Sequence, residues 1–124
     1  MTRTHKKVRY PSDRKHETSP TEEFQVAEDA LKIIEGRWKL RILVHLRANA
    51  VMRFSDLERA IPSVTQKMLI QQLRELERDG AVKRTAYAEV PPRVEYSLTP
   101  WGSDLCPALD ALRGWAARKS RYSD

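Results

Sequence analysis

The stretch from Arg53 to Tyr96 constrains this chain most. Ser55-Asp56-Leu57-Glu58 has the spacing of a capping box, in which Ser55 and Glu58 would satisfy each other's orphan amides at a helix start. Leu57, Ala60 and Ile61 follow at helical spacing, and Pro62 stops the run. Thr65 is then suited to cap a second helix, about Gln66 to Asp79, with Val64 and Leu69 as a hydrophobic staple and Gly80 as its stop. That helix is two-faced: Leu69, Leu73 and Leu76 on one side, Lys67, Gln71, Arg74 and Arg78 on the other. A short helix, a turn and a longer helix with a Gln/Lys/Arg face is the pattern of a DNA-reading helix-turn-helix; an αα-hairpin with a solvated outer face has the same periodicity.

The residues after Gly80 separate the two, because there the period becomes alternating. Val94, Tyr96 and Leu98 face one way and Arg93, Glu95 and Ser97 the other, with Lys83 to Glu89 as the pairing strand and Val90-Pro91-Pro92 as the tip. The hairpin would present Lys83, Arg84 and Arg93. A helix-turn-helix followed at once by a basic hairpin is a winged helix. The expected fold is therefore mainly α with a small β-hairpin wing (α+β).

The flanking segments read as helices. Ser19-Pro20-Thr21-Glu22 combines an N-cap, a first-turn proline and a capping box, starting a helix expected to run to Glu35. Its apolar residues, among them Phe24, Ala27 and Leu31, cover more of the helix than one contact in a small domain uses. Arg37 to Ala48 should form the next helix, with Trp38, Ile42, Leu43 and Leu46 inward and Arg37, Lys39 and Arg41 mostly outward. Met52-Arg53-Phe54 is long enough only for an edge strand. Thr99-Pro100 starts a final helix bearing Leu105, Leu109, Leu112 and Ala116, with Trp101 and Trp115 near its ends and a kink or break expected near Asp104 because of Pro107. Phe24, Ala27, Leu31, Leu105, Leu109, Leu112 and Trp115 are the candidate dimer contacts.

Charge and composition narrow the function. With 124 residues the chain has room for one domain, over residues 19–119, preceded by a disordered basic arm over residues 1–18. Of the net charge of +6, the first twenty residues supply +4, from six Lys/Arg against two Asp/Glu. The rest is barely basic, so a case for nucleic acid rests on where its charges sit. No apolar run approaches the ~20 residues that span a bilayer, and from the polar N-terminus no secretory signal is expected. A single cysteine, Cys106, fits a reducing, cytoplasmic setting and is expected in a small buried apolar role. No nucleophile–base spacing, Gly-rich phosphate loop or metal-ligand cluster stands out, so neither catalysis nor a cofactor is expected.

Several motifs carry a family likeness. Ile34-Glu35-Gly36-Arg37-Trp38-Lys39, Arg53-Phe54-Ser55-Asp56-Leu57, the run from Thr65 to Glu77 and the run from Glu89 to Thr99 together resemble HxlR-type winged-helix transcriptional regulators, over about Val26 to Ala117. The resemblance implies a bacterial, cytoplasmic homodimer held by its terminal helices and bound to a pseudo-palindromic operator, with repression as the expected sense. Many members carry a Cys-Pro pair early in the first helix, which in some senses electrophiles or oxidants. The aligned residues here are Gln25-Val26, which excludes thiol sensing at that place.

On this reading Gln66, Lys67, Ile70 and Gln71 reach base edges: Gln to adenine, Lys to guanine, Ile to a thymine methyl. Thr65 and the helix N-terminus suit phosphate, while Arg53, Arg74 and Arg93 fix register through the backbone or the minor groove. A small-molecule effector would act by changing the setting of two recognition helices. The rival is a winged helix used to bind protein or RNA without an operator.

Overall fold

The computed structural model describes residues 19–122, so the expected basic arm lies outside the described residues. The chain divides into two units, meeting between Ile33 and Ile34.

The described part of the first unit is the helix α1 (Pro20–Ile34, its last residue belonging to the second unit). Its start is the anticipated box: Ser19 N–H donates to Glu22 Oε1 at 2.9 Å and Glu22 N–H donates to Ser19 Oγ at 3.1 Å. None of its residues is buried.

The second unit contains α2 (Lys39–Asn49), β1 (Val51–Arg53), α3 (Phe54–Ala60), α4 (Gln66–Arg78), β2 (Val82–Tyr87), β3 (Arg93–Leu98) and α5 (Pro100–Ala117), followed by a 3-10 turn over Arg118–Tyr122. The three strands form one antiparallel sheet in the order β1-β3-β2. Tyr96 lies opposite Met52 on one side and Arg84 on the other. Ile42, Leu43 and Leu46 of α2, Met52, Leu57, Ile61, the three leucines of α4, Ala81, Val82 and Tyr96 make the core. Each fully buried leucine contributes about 2 kcal/mol through the apolar surface it removes from water.

The α4 boundaries follow from sequence chemistry. Thr65 Oγ1 accepts from Met68 N–H at 3.1 Å. At the far end Gly80, at φ +86°, supports a Schellman closure: Ala81 N–H donates to Leu76 O and Gly80 N–H to Glu77 O, each at 3.0 Å. Val64 packs, half-buried, against the core to which Leu69 belongs.

Four local expectations are corrected. The α3 start is two residues earlier than Ser55: Asp56 accepts from Arg53 N–H at 2.8 Å, so the acidic residue three places past Arg53 sets the end of the helix. Phe54 accordingly opens α3 instead of ending the strand. Lys39 is buried, with its ammonium paired to the half-buried Glu75 on α4. Finally, α5 runs through Pro107 without a break. Pro107 is exposed, so water can reach the carbonyl that its missing N–H leaves without a partner.

At the start of α5, Thr99 Oγ1 accepts from Gly102 N–H at 2.9 Å and donates to Gly80 O at 2.6 Å. Thr99 N–H donates to Ala81 O at 3.1 Å. One side chain therefore caps α5 and ties it to the end of α4. The approach is close enough that a Cβ on Gly102 would lie 2.1 Å from Ala81 O, which only glycine avoids.

Candidate nucleic-acid interface

Burying Leu69, Leu73 and Leu76 fixes the rotation of α4 and turns its opposite side outward. Gln66, Lys67, Ile70, Gln71, Arg74, Glu75 and Arg78 line one shallow, open depression along that side. Gln66, Lys67, Ile70, Gln71 and Arg74 are exposed, together with Thr65 at the N-terminus. The expected base-reading residues of α4 thus share a surface with Arg74, and the expected phosphate contact Thr65 stands at its N-terminal end.

Arg53 is exposed at the junction of β1 and α3. Arg93, at the start of β3, is engaged within the wing. Its Nη2 donates to Glu89 and its Nη1 to Glu95, each at 2.8 Å, and its guanidinium lies 4.0 Å from the centre of the Tyr87 ring. These carboxylates, Glu89 first, hold the arginine firmly protonated. The exposed wing cations are Lys83 and Arg84 of β2. Arg84 faces a second depression shared with Ile70, Leu73, Arg74, Glu77 and Tyr96, so a wing arginine and an α4 arginine converge on one cleft.

Sequence reasoning missed the Lys39–Glu75 pair, whose ammonium and carboxylate are 2.6 Å apart with side-chain exposures of 8% and 25%. The partners are too far apart in sequence for any helical spacing to reveal them. It also missed the convergence of Arg84 with Arg74, which depends on how the sheet packs.

The candidate dimer residues separate by environment. Phe24, Ala27 and Leu31 of α1 are exposed, as are Leu112 and Trp115 of α5. Leu105 packs against the core and Leu109 is half-buried. Cys106 is half-buried too, a correction to the buried position expected. Beside it Arg47 of α2 makes a two-pronged ion pair with Asp110, at 2.8 and 2.7 Å, which holds the Asp110 carboxyl below its usual range. Among the described residues no helix is long and apolar enough to cross a membrane.

The geometry has close counterparts among known proteins. The HTH-type transcriptional regulator YtcD of Bacillus subtilis (strain 168) is 50% identical over 90 residues, 73% of this chain and 71% of the relative. YtfH of Escherichia coli (strain K12), also an HTH-type transcriptional regulator, is 48% identical over 89 residues, 72% of this chain and 70% of the relative. A crystal structure of YtcD superposes with a TM-score of 0.71 at 47% identity, over 77% of this chain and 96% of that one. The redox regulator HypR in its reduced form superposes with a TM-score of 0.69 at 42% identity, over 75% of this chain and 92% of that one. The family model for the HxlR-like helix-turn-helix matches residues 33–123. With its winged helix and the exposed face of α4, this chain belongs to the HxlR-like helix-turn-helix family and is an HTH-type transcriptional regulator.

Proposed function

We propose that the protein is a homodimeric, sequence-specific DNA-binding repressor that places the N-terminal half of α4 in the major groove of each half of a pseudo-palindromic operator. The observation that carries this reading is the outer face of α4. Lys67, Gln71, Arg74 and Arg78 stand exposed opposite three buried leucines, so the helix is anchored on one side and bare on the other. Gln66, Lys67, Ile70 and Gln71 meet base edges. Thr65 and the first amides of α4 meet a phosphate, and Arg53 and Arg74 hold register on the backbone. Arg93 fastens the wing through Glu89 and Glu95, and Arg84, which lines one cleft with Arg74, meets the phosphates.

Dimerisation follows from apolar surface that a soluble monomer rarely leaves bare. Phe24, Leu31, Leu112 and Trp115 are all more than half exposed in the single chain. A small-molecule effector would act on this dimer by favouring one spacing of the two α4 helices over another.

The test is alanine replacement read against an operator selected from randomised duplexes. Lys67→Ala or Gln71→Ala should weaken operator binding by about 1–3 kcal/mol and relax sequence preference. Wild-type affinity and selectivity in both variants would remove α4 as the reading element. Failure of the wild type to bind any duplex would instead favour a winged helix that binds protein or RNA.

A further inference from the structure

Glu75 is a carboxylate on a face otherwise suited to a polyanion, and its two oxygens have different partners. Oε1 lies 2.6 Å from the ammonium of Lys39, the core's buried cation. Oε2 accepts from the Gln71 amide nitrogen at 3.2 Å. The Lys39 bond first, and then the Gln71 bond, hold the Glu75 carboxyl below its usual range. An ionised carboxylate only accepts hydrogen bonds. Gln71 must therefore turn its NH2 toward Glu75, which directs its carbonyl oxygen and one remaining N–H elsewhere.

We propose that Lys39 and Glu75 are positioning residues for base recognition: they fix which way round the Gln71 amide faces, and thereby which orientation of a base pair Gln71 accepts. The inference rests on α4 being the base-contacting helix. A glutamine amide has two faces of opposite sense, an acceptor and a donor, and in water it exchanges them by a half-turn. Bases are equally polar: adenine and cytosine offer an amino donor in the major groove where thymine and guanine offer a carbonyl acceptor. Reversing a base pair swaps donor for acceptor at the same place. An amide that is free to turn tolerates both orientations; an amide held by Glu75 accepts one. Lys39 matters because it claims Oε1, leaving Oε2 for Gln71. Its anchoring from the core also limits the side-chain rotation that would undo the arrangement.

The chemistry makes an unusual demand of Glu75→Gln. Lys39 can only donate, so it would retain the amide oxygen of the new side chain, and the new NH2 would face Gln71. Gln71 would then have to turn over and offer its carbonyl. The preference should reverse, not merely weaken.

The experiment is selection from a library of randomised duplexes, followed by sequencing, for wild type, Gln71→Ala, Glu75→Gln and the double variant Lys39→Met/Glu75→Leu. Gln71→Ala identifies the position that Gln71 reads. At that position the wild type should prefer one orientation of a base pair over its reverse by about fivefold or more. Glu75→Gln should invert the preference while the other positions keep theirs. The double variant replaces the ion pair by apolar side chains and should make both orientations nearly equal. It decides the matter if Glu75→Gln does not fold. An unchanged preference in either folded variant, or no position altered by Gln71→Ala, would overturn the positioning role alone. No sequence selection by the wild type would overturn it together with the reading of α4 on which it rests.

Discussion

Lys39 and Gly102 show how much single residues decide here. Lys39 follows Arg37 and Trp38 in a stretch whose neighbours Arg37 and Arg41 stack on the indole at 4.7 and 5.4 Å, which is the surface arrangement expected of such a run. Its ion pair with Glu75, half-buried on α4, makes its burial tolerable, and breaking one side would leave an uncompensated charge. Because the folded protein lowers the Glu75 pKa from 4.5, the pair contributes stability above that value and loses it as pH falls through the folded one. Urea midpoints measured from pH 6 down to pH 3 should therefore fall more steeply for wild type than for Lys39→Met/Glu75→Leu; parallel profiles would show that the pair has no such linkage. Gly102 has a different role. Gly102→Ala places a methyl against the Ala81 carbonyl and should destabilise the fold by about 3 kcal/mol, read by urea unfolding. A change below about 0.5 kcal/mol would mean that α5 can shift without cost. Neither residue announces itself in sequence, because both depend on a neighbour remote along the chain.

At the scale of elements, ends were more legible than environments. The Ser19–Glu22 box, the Thr65 cap, the Gly80 stop and Thr99-Pro100 are local chemistry, and each appears where its residues place it. The same logic misplaced the start of α3, since Ser55 and Asp56 both offer capping side chains and it is Asp56 that accepts from Arg53 N–H, directly where β1 ends. Thr99→Ala removes a cap and a bond to Gly80 together, so it should cost about 1–2 kcal/mol. A neutral result in thermal unfolding would show that the tie between α4 and α5 is dispensable. Pro107 is the converse case. Its ring removes one bond from a helix that forms anyway, and Pro107→Ala should stabilise α5 by roughly 1–3 kcal/mol. No rise in melting temperature would imply that the proline geometry is needed where it stands. The α4 surface was legible because period and side-chain chemistry coincide there; the wing was legible as a hairpin, but the capture of Arg93 by Glu89 and Glu95 was not.

For the whole molecule, net charge says little and its distribution says more. Most of the excess lies in the first twenty residues, while the domain gathers Lys67, Arg74 and Arg78 on one helix face and Arg84 beside them. In the proposed binding mode Arg84 meets phosphate and such a contact releases counterions, so Arg84→Ala should weaken all duplexes alike and reduce the slope of log affinity against log salt by about 1. An unaltered slope would remove the wing from the backbone contacts. The exposed apolar residues of α1 and α5 bear on assembly: Leu112→Glu should leave a folded monomer in sedimentation and reduce operator affinity, whereas an intact dimer would place the interface elsewhere. The central claim, that two α4 helices read one operator, is tested most directly by methylation interference on the selected site. Two major-groove patches about 34–36 Å apart, both lost in Lys67→Ala, are the expected result. A single patch, or interference confined to the minor groove, would contradict it.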